Sequence, residues 1–465
     1  MDCGDGMDKE VIERLEGIVG KTYVVSERER MQNYLTDESA DVIRPRPASD
    51  LVLVRPANTQ EISDILRLAN ENNIPVFPRG GGTGLVGGAI PTQNGLILAM
   101  ERMNRIEIDN ENLMAVAEAG VTLGTLSKSA SDAGLFFPLH PGDETSQVGG
   151  LVATNAGGAR AIKHGVMRNY VRGMEVVLPT GEILRLGGKL HKNNVGYDFM
   201  QFIIGSEGTL AVITKVTLRL LPIFGATATL VFPYNNRNDA IASVPKMIRD
   251  GRLPLAIEYA ERDLMERTAN HLGENWPVKS GNCYLMIVIA ESSREQVLSE
   301  SLKIAETCQQ NGALEPLFVE TRSEQDRILR IRSNIYPALK SETADILDVT
   351  VPVPELAKLV EAVKELAKKE SVLLPAYGHA ADGNLHVHIM KGPTGQTEHV
   401  ERLREEIYRT AVQLGGVITG EHGIGKIRTG KLELYLTEKE IDLMKNAKRI
   451  FDPNNLLNPG AKILI

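Results

Sequence analysis

The chain has 465 residues, of which 42% are hydrophobic and 24% charged, as in ordinary folded globular proteins. This length exceeds what one hydrophobic core supports, so we expect two or more domains. The formal net charge is −8 and there is no basic stretch, which argues against a nucleic-acid partner. Every apolar run is far shorter than the roughly 20 residues of a membrane-spanning helix, so we expect no membrane span.

The three cysteines, Cys3, Cys283 and Cys308, are scattered and form no C-x-x-C motif. The chain therefore lacks the ligands for an iron–sulfur cluster or a zinc ribbon of its own. An odd number of cysteines and a first segment without an apolar stretch are typical of proteins in a reducing compartment. We expect a cytoplasmic protein.

The first part of the chain reads as a strand, a helix, a second strand and a glycine loop. Asn58 and Glu61 have the spacing of a capping box, and apolar residues then recur at helical intervals. The loop PRGGGTGLVGG, residues 78–88, contains a literal G-x-G-x-x-G at Gly82, Gly84 and Gly87. A Rossmann loop must open a helix, whereas this one leads into a strand. We interpret it as a set of backbone N–H groups that bind a pyrophosphate.

Two more glycine clusters follow, at residues 140–158 (HPGDETSQVGGLVATNAGG) and 205–214 (GSEGTLAVIT). Small residues allow the backbone to lie close to a large flat ligand. Short apolar strands separate the clusters. Three such clusters in one domain favour a single large cofactor.

From residue 224 the pattern changes to repeated strand, helix and strand units without glycine fingerprints. These units predict an antiparallel sheet covered by helices, which caps the first domain. The last residues carry a glycine-rich loop and the tail FDPNNLLNPG, which we expect to return to the cofactor. The predicted divisions are 1–223, 224–415 and 416–465.

Histidines are concentrated in two short segments. His379 and His386 frame HAADGNLH, His388 shares one face of a strand with His386, and Glu421-His422 lie in GEHGIG. Imidazole and carboxylate ligands suit a divalent ion such as zinc, iron or manganese. Four of the nine histidines lie in these segments beside a glutamate, which favours a metal site over histidines with a structural role.

These motifs together resemble the vanillyl-alcohol oxidase/PCMH-type flavoprotein superfamily, in the branch that contains the flavin-carrying chain of glycolate oxidase and the FAD-linked D-lactate dehydrogenases. The resemblance runs from about Asp50 to the C-terminus and is carried by PRGGGTGL, GLVATNAGG, GSEGTL, GNLH, GEHGIG and FDPNNLLNPG. It implies an α+β fold, with a PCMH-type FAD-binding domain of two subdomains and an α+β cap of antiparallel sheet and helices.

The resemblance also implies a set of cofactor contacts. They are Pro78, Gly80, Gly81, Gly82, Thr83, Gly84 and Leu85 at the pyrophosphate, Pro141, Gly142, Gly149, Gly150, Asn155, Gly157 and Gly158 along the flavin, Glu207, Gly208 and Ile213 near the adenosine, and Asn458 facing the flavin. Members that attach FAD covalently use a histidine in the glycine loop. This chain has Thr83 there, so we expect non-covalent FAD.

By the same resemblance His379, His386 and Glu421 are ligands of one divalent metal, and His422 is the catalytic base. Arg332 corresponds to an arginine that binds the substrate carboxylate. The tryptophan that usually precedes it is absent, and the alternative of a solvated helix arginine remains open. For His388 we expect a contact behind the ligands or with the substrate.

The expected reaction is oxidation of a small D-2-hydroxy acid. The first substrate we expect is D-lactate, which gives pyruvate. A divalent ion lowers the pKa of the substrate hydroxyl, and an imidazole, with an ordinary pKa of about 6.5, accepts the proton. The Cα hydrogen then leaves as hydride to flavin N5, although a carbanion route stays open. The electrons require an external carrier, such as an electron-transferring flavoprotein, an iron–sulfur subunit or a quinone.

Alternatives remain at this point. The substrate is glycolate or D-2-hydroxyglutarate in related enzymes. Two functions other than a hydroxy-acid dehydrogenase also remain open. One is a non-catalytic flavin subunit that relays electrons, and the other is a flavoprotein reductase that uses NADPH.

Overall fold

The computed structural model describes residues 7–392 and 397–465; Cys3 lies outside these ranges. The strands of the first half are β1 (Val24–Val25), β2 (Leu51–Val54), β3 (Val76–Arg79), β4 (Gly95–Ala99), β5 (Ile106–Asp109), β6 (Met114–Glu118), β7 (Leu135–Phe136), β8 (Val171–Val177), β9 (Ile183–Gly187), β10 (Val212–Arg219) and β11 (Leu221–Pro222). Its helices are α1 (Lys9–Val19), α2 (Thr59–Glu71), α3 (Leu123–Asp132), α4 (Val148–Thr154), α5 (Ala161–His164) and α6 (Phe199–Ile203).

These strands form two main sheets. The first has the order β1-β2-β4-β3, in which β4 runs parallel to both β2 and β3. The second is antiparallel, with the order β5-β6-β10-β8-β9, and β7 pairs separately with β11. Two sheets, each with its own helices, give the first half the two subdomains that the resemblance implied.

Local sequence explains how the first unit is built. The Asn58 side chain accepts the N–H of Glu61 at 3.0 Å and so caps α2. The Glu61 carboxylate in turn accepts the N–H of Ala57 at 2.7 Å, one residue earlier than a standard capping box. The glycine loop after β3 leads into β4 and opens no helix, so the rejection of a Rossmann motif is confirmed.

The second half begins with a seven-stranded sheet in which every pairing is antiparallel, as predicted. Its strands are β12 (Ala226–Tyr234), β13 (Ala256–Glu261), β14 (Cys283–Glu291), β15 (Leu317–Val319), β16 (Thr343–Thr350), β17 (Ala376–His379) and β18 (Asn384–Met390), in the order β15-β12-β14-β13-β17-β18-β16. The helices of this half are α7 (Arg237–Arg249), α8 (Arg262–His271), α9 (Arg294–Gln310), α10 (Arg322–Ser333), α11 (Ile335–Leu339), α12 (Leu356–Glu370), α13 (Thr397–Gln413) and α14 (Glu438–Phe451).

The C-terminal segment contacts both halves. Ile424 and Leu432 pack in the same apolar core as the cap sheet. Farther along, the N–H of Val76 donates to the carbonyl of Leu456, and the N–H of Asn458 donates to the carbonyl of Val76, both at 2.8 Å. The segment therefore joins the cap to the first sheet. Within the described residues, no helix combines the length and apolar composition needed to cross a bilayer.

Candidate active site

A deep cavity lies in the first half, where the three glycine clusters meet. Its wall includes most of the predicted cofactor contacts: Pro78, Gly80, Gly81, Gly82, Thr83, Gly84, Leu85, Pro141, Gly149, Gly150, Gly157, Glu207, Gly208, Ile213 and Asn458. The same wall includes Glu421 and His422 from the C-terminal segment. The three glycine clusters therefore line the same cavity as Glu421 and His422.

Gly142, Asn155 and Gly158 do not line this cavity. Asn155 ends α4 at φ +53°, and its side chain accepts the N–H of Arg168 at 3.0 Å. A Cβ on Gly158 would lie 2.5 Å from the carbonyl oxygen of His140. Asn155 and Gly158 therefore have roles in the local backbone structure. A cofactor contact at Gly142, Asn155 or Gly158 stays a prediction.

In one part of the cavity wall the backbones of two loops lie in close contact. A Cβ on Gly81 would lie 2.8 Å from the carbonyl oxygen of Thr145, so a larger residue would push the loops apart. Beside it, the hydroxyls of Thr83 and Ser146 are hydrogen-bonded at 2.9 Å. The loop is thus held in a fixed shape with backbone N–H groups available for an anion.

Four of the predicted residues meet at one carboxylate oxygen. The Nε2 atoms of His379 and His386 lie 3.4 and 3.5 Å from Oε1 of Glu421. Nε2 of His422 lies 3.9 Å from the same oxygen, and its ring stacks on that of His386 with centroids 5.1 Å apart. β17 and β18 supply the first two histidines, and the loop after α13 supplies the other two residues.

One carboxylate, that of Glu258, orients a histidine from behind, and a second, that of Asp348, lies near the other ring without a hydrogen bond to it. Nδ1 of His379 is hydrogen-bonded to Oε1 of Glu258 at 2.6 Å, and Nδ1 of His386 lies 3.6 Å from Oδ1 of Asp348. Each Nε2 therefore faces Glu421. A carboxylate behind the ring is the usual arrangement of a metal-ligating histidine.

The electrostatics of the two rings differ. Burial acts to lower the pKa of His379, but Glu258 and Glu421 outweigh it and hold the pKa well above its usual value. A negative potential of this kind also favours a divalent cation at Nε2. Burial, together with His422 and His379, holds the pKa of His386 well below its usual value, so this ring is neutral.

The donor set fits a divalent metal. Ligating atoms of Asp348, His386, Glu421 and His422 lie within 4.8 Å of one another. Asp348, however, already accepts hydrogen bonds from several loop donors, which leaves it little capacity for an ion. His379 lies outside this group, although its Nε2 is 3.4 Å from the Glu421 carboxylate. We keep the set that the resemblance implied, His379, His386 and Glu421, whose side chains suit zinc, iron or manganese. That assignment stays a prediction.

Arg332 lies inside the site and not on a solvated surface. The residue is only 8% exposed, and its guanidinium pairs with the Glu258 carboxylate and lies 4.7 Å from the centre of the Tyr377 ring. The alternative of a solvated helix arginine is wrong for this position.

His388 lies behind the site. It is fully buried, with Nδ1 2.8 Å from the Thr343 hydroxyl and Nε2 3.3 Å from the Tyr377 hydroxyl. Both ring nitrogens are engaged within the protein, so His388 supports Tyr377. Of the two expectations for this residue, the geometry favours a contact behind the ligands.

Sequence reasoning missed Glu258 and Asp348. Each is an acidic residue with apolar neighbours inside a strand, in LAIEYAE and ILDVTVPV. Acidic side chains are almost never fully buried unless they are paired. An acidic residue in an apolar strand was therefore a signal of a buried, paired carboxylate, although it did not indicate which group pairs with it.

Two parts of the chain match families of FAD-linked proteins. Residues 51–187 match the family described as FAD binding domain, and residues 225–461 match the family described as FAD linked oxidases, C-terminal domain. The chain is 43% identical over 430 residues to a D-lactate dehydrogenase of Archaeoglobus fulgidus, covering 92% of this chain and 95% of that protein. It is 36% identical over 420 residues to glycolate oxidase subunit GlcD of Bacillus subtilis, covering 88% of each.

Solved structures with lower identity share the fold. p-Cresol methylhydroxylase with substrate bound gives a TM-score of 0.78 at 17% identity, covering 97% of this chain and 96% of that one. 4-Ethylphenol oxidase from Gulosibacter chungangensis gives 0.78 at 18% identity, covering 99% and 98%. The α+β fold with a PCMH-type FAD-binding domain is confirmed.

Proposed function

This chain belongs to the family of FAD-linked oxidases and is an FAD-dependent oxidoreductase, and on this premise we propose that it oxidises a small D-2-hydroxy acid, with D-lactate as first substrate and pyruvate as product. The observation that carries the proposal is that the wall of the FAD cavity continues into Glu421 and His422. The similarity to proteins named D-lactate dehydrogenase over nearly the whole chain supports the substrate.

The proposal includes one divalent metal besides non-covalent FAD. His379, His386 and Glu421 would hold the ion, and Glu258 would orient the imidazole of His379. When bound, the ion supplies a positive charge that lowers the pKa of the substrate hydroxyl, and FAD supplies a hydride acceptor at N5.

The roles of the protein's own residues follow from their positions. Nε2 of His422 accepts the hydroxyl proton, while the Cα hydrogen leaves with its electron pair. The substrate thus loses one proton and one hydride and becomes the 2-keto acid. Arg332 binds the substrate carboxylate in this proposal, which is supported by its buried Nε having no hydrogen-bond partner within the described residues.

An external carrier then removes the electrons. We propose an electron-transferring flavoprotein or an iron–sulfur subunit as this carrier. The chain has only three scattered cysteines and cannot hold an iron–sulfur cluster of its own to pass the electrons on. Two of them, Cys283 and Cys308, are buried free thiols, which suits a reducing cytoplasm.

Anaerobic stopped-flow spectroscopy tests the proposal. The FAD-loaded protein is mixed with D-lactate, L-lactate, glycolate or D-2-hydroxyglutarate, before and after chelation. We expect D-lactate to bleach the flavin band, chelation to abolish the bleaching and a divalent ion to restore it.

The matched variant is His422→Gln, which keeps the size of the side chain but cannot act as a base. We expect it to bind FAD normally and to reduce the flavin at least about a hundredfold more slowly. If none of the acids bleaches wild-type protein that is verified to hold FAD and metal, the chain is not a hydroxy-acid dehydrogenase and an electron relay becomes the better assignment.

A further inference from the structure

Asp348 holds the loop that carries Glu421 and His422. We call residues 419–425 the bridging loop. One oxygen of Asp348, on strand β16 of the cap sheet, accepts the backbone N–H groups of Gly420, Glu421 and His422 at 2.9, 2.8 and 2.7 Å. It also accepts the hydroxyl of Thr419 at 2.9 Å. Asp348 is only 1% exposed, so its carboxylate is held inside the protein and depends on these donors for its hydrogen bonds.

A second carboxylate holds the same loop from the other domain. The oxygens of Glu207 accept the N–H groups of Ile424 at 2.9 Å and Gly425 at 2.6 Å. Glu207 lies in the turn before β10 and lines the FAD cavity. Its carboxylate therefore contacts the loop, although the resemblance had suggested a place near the adenosine.

The glycines of GEHGIG are needed for this contact. Gly423 has φ +86°, and a Cβ there would lie 2.8 Å from the Glu207 carboxylate. Gly425 has φ +52°, and its Cβ would lie 2.0 Å from the carbonyl oxygen of Val86, beside the cavity. Any side chain at these positions would displace the loop from Glu207 and from the cavity wall.

We propose that Asp348 and Glu207 are positioning residues for the reaction. They hold the bridging loop from opposite sides, one from the cap and one from the FAD domain, and so fix the distance of His422 and Glu421 from the flavin. Five backbone N–H groups of this one short loop point at two buried carboxylates. The inference rests on the proposed function, because it assigns a role in that reaction.

Amide hydrogen exchange of the FAD-loaded protein tests the contacts directly and requires neither metal nor substrate. In Asp348→Asn we expect the amides of Glu421 and His422 to exchange at least about tenfold faster, because a neutral amide oxygen is a weaker acceptor than the carboxylate. Gly420 should respond less, because its N–H also donates to the Asp348 carbonyl at 2.8 Å. In Glu207→Gln we expect faster exchange at Ile424 and Gly425.

Asp345→Asn is the matched control. Asp345 lies on the same strand and is fully buried, but its carboxylate binds the side chains of Arg404 and Arg428. The loop amides should keep their wild-type exchange in this variant. Equal acceleration in all three variants would mean general loosening and would overturn the inference, as would unchanged exchange in the first two.

Flavin reduction by D-lactate gives the second readout. We expect Asp348→Asn and Glu207→Gln to reduce flavin about a hundredfold more slowly with little change in the half-saturating D-lactate concentration, because misplacing the base affects the reacting state. Gly423→Ala, which displaces the loop but keeps both carboxylates, should show the same loss.

Normal reduction rates despite faster exchange would overturn the positioning role. If wild-type flavin is not reduced by any acid while the exchange pattern is as expected, the proposed function fails and the two-carboxylate contact stands.

Discussion

At the scale of single residues, buried charges organise this site. Glu258 is 3% exposed and serves two partners, the imidazole of His379 and the guanidinium of Arg332. Burial acts to raise its pKa, but these two neighbours outweigh it and hold the pKa below its usual value. Glu258 therefore stays ionised, and one carboxylate fixes both a predicted metal ligand and the predicted carboxylate-binding arginine.

A half-buried histidine elsewhere gives a pH prediction. His164 lies among the rings of Phe136, Tyr170 and Phe224, and its Nε2 has no hydrogen-bond partner within the described residues. Burial, with the charges of Lys163 and Arg160, lowers its pKa to about 4. Between about pH 6.5 and 4 the unfolded chain binds a proton here that the folded protein does not, so the free energy of unfolding falls as the pH falls.

His164→Phe removes that proton-binding site. We expect a shallower decline of the unfolding free energy from about pH 6.5 to 4, measured by urea denaturation at several pH values. His191→Gln, at an exposed histidine, is the control. Identical slopes in wild type and His164→Phe would rule out this source of acid sensitivity.

At the scale of elements, one buried lysine connects helix α14 to the FAD domain. Most of its side chains are at least partly exposed, whereas Lys448 is 3% exposed. Its Nζ donates to the carbonyls of Thr209 at 2.8 Å and Leu457 at 2.9 Å and pairs with Asp452. This cation therefore adds to the backbone hydrogen bonds that hold the tail carrying Asn458 to the FAD domain.

Replacing this lysine by methionine keeps the length of the side chain but leaves Asp452 as an unpaired buried charge. We expect Lys448→Met to lower the free energy of unfolding by about 3 kcal/mol, measured by chemical denaturation. Lys439→Met, on the exposed side of the same helix, should change it by less than about 0.5 kcal/mol. An equal loss in both variants would show that Lys448 is not the anchor.

At the scale of the whole molecule, the segment 36–46 ties the FAD domain to the cap. The N–H of Glu38 donates to the carbonyl of Gly84 in the glycine loop at 3.0 Å. The hydroxyl of Tyr336 donates to the carbonyl of Glu38 at 2.6 Å, and Lys340 pairs with the Glu38 carboxylate. The glycine loop, residues 78–88, is thus connected to helix α11 and its neighbours.

The double variant Tyr336→Phe/Lys340→Met removes both cap contacts of Glu38. Because the glycine loop is then less constrained, we expect FAD to dissociate several-fold faster. The rate is measured as the recovery of flavin fluorescence after dilution. Lys369→Met, which removes an exposed ion pair with Glu406, is the control. An unchanged FAD release rate in the double variant would contradict the connection.

The sequence by itself determined the local features. The glycine loop, the capped helix α2, the antiparallel cap sheet and the histidine segments all follow from spacing and periodicity over a few residues. A glycine nest or a strand that carries two histidines is a property of consecutive residues, so one chain is enough to recognise it. The resemblance of these motifs to known flavoproteins then indicated FAD, which the comparisons confirm.

Only the tertiary structure decided which side chains meet. Glu258 and His379 are 121 positions apart, and Glu207 and Ile424 are 217 positions apart. From the sequence, Asp348 is an acidic residue in a largely apolar strand, and its partners become known only when the bridging loop is placed against it. Local patterns specify whether a residue is buried, but the partner of a buried charge depends on how distant segments pack, and that packing is a property of the whole fold.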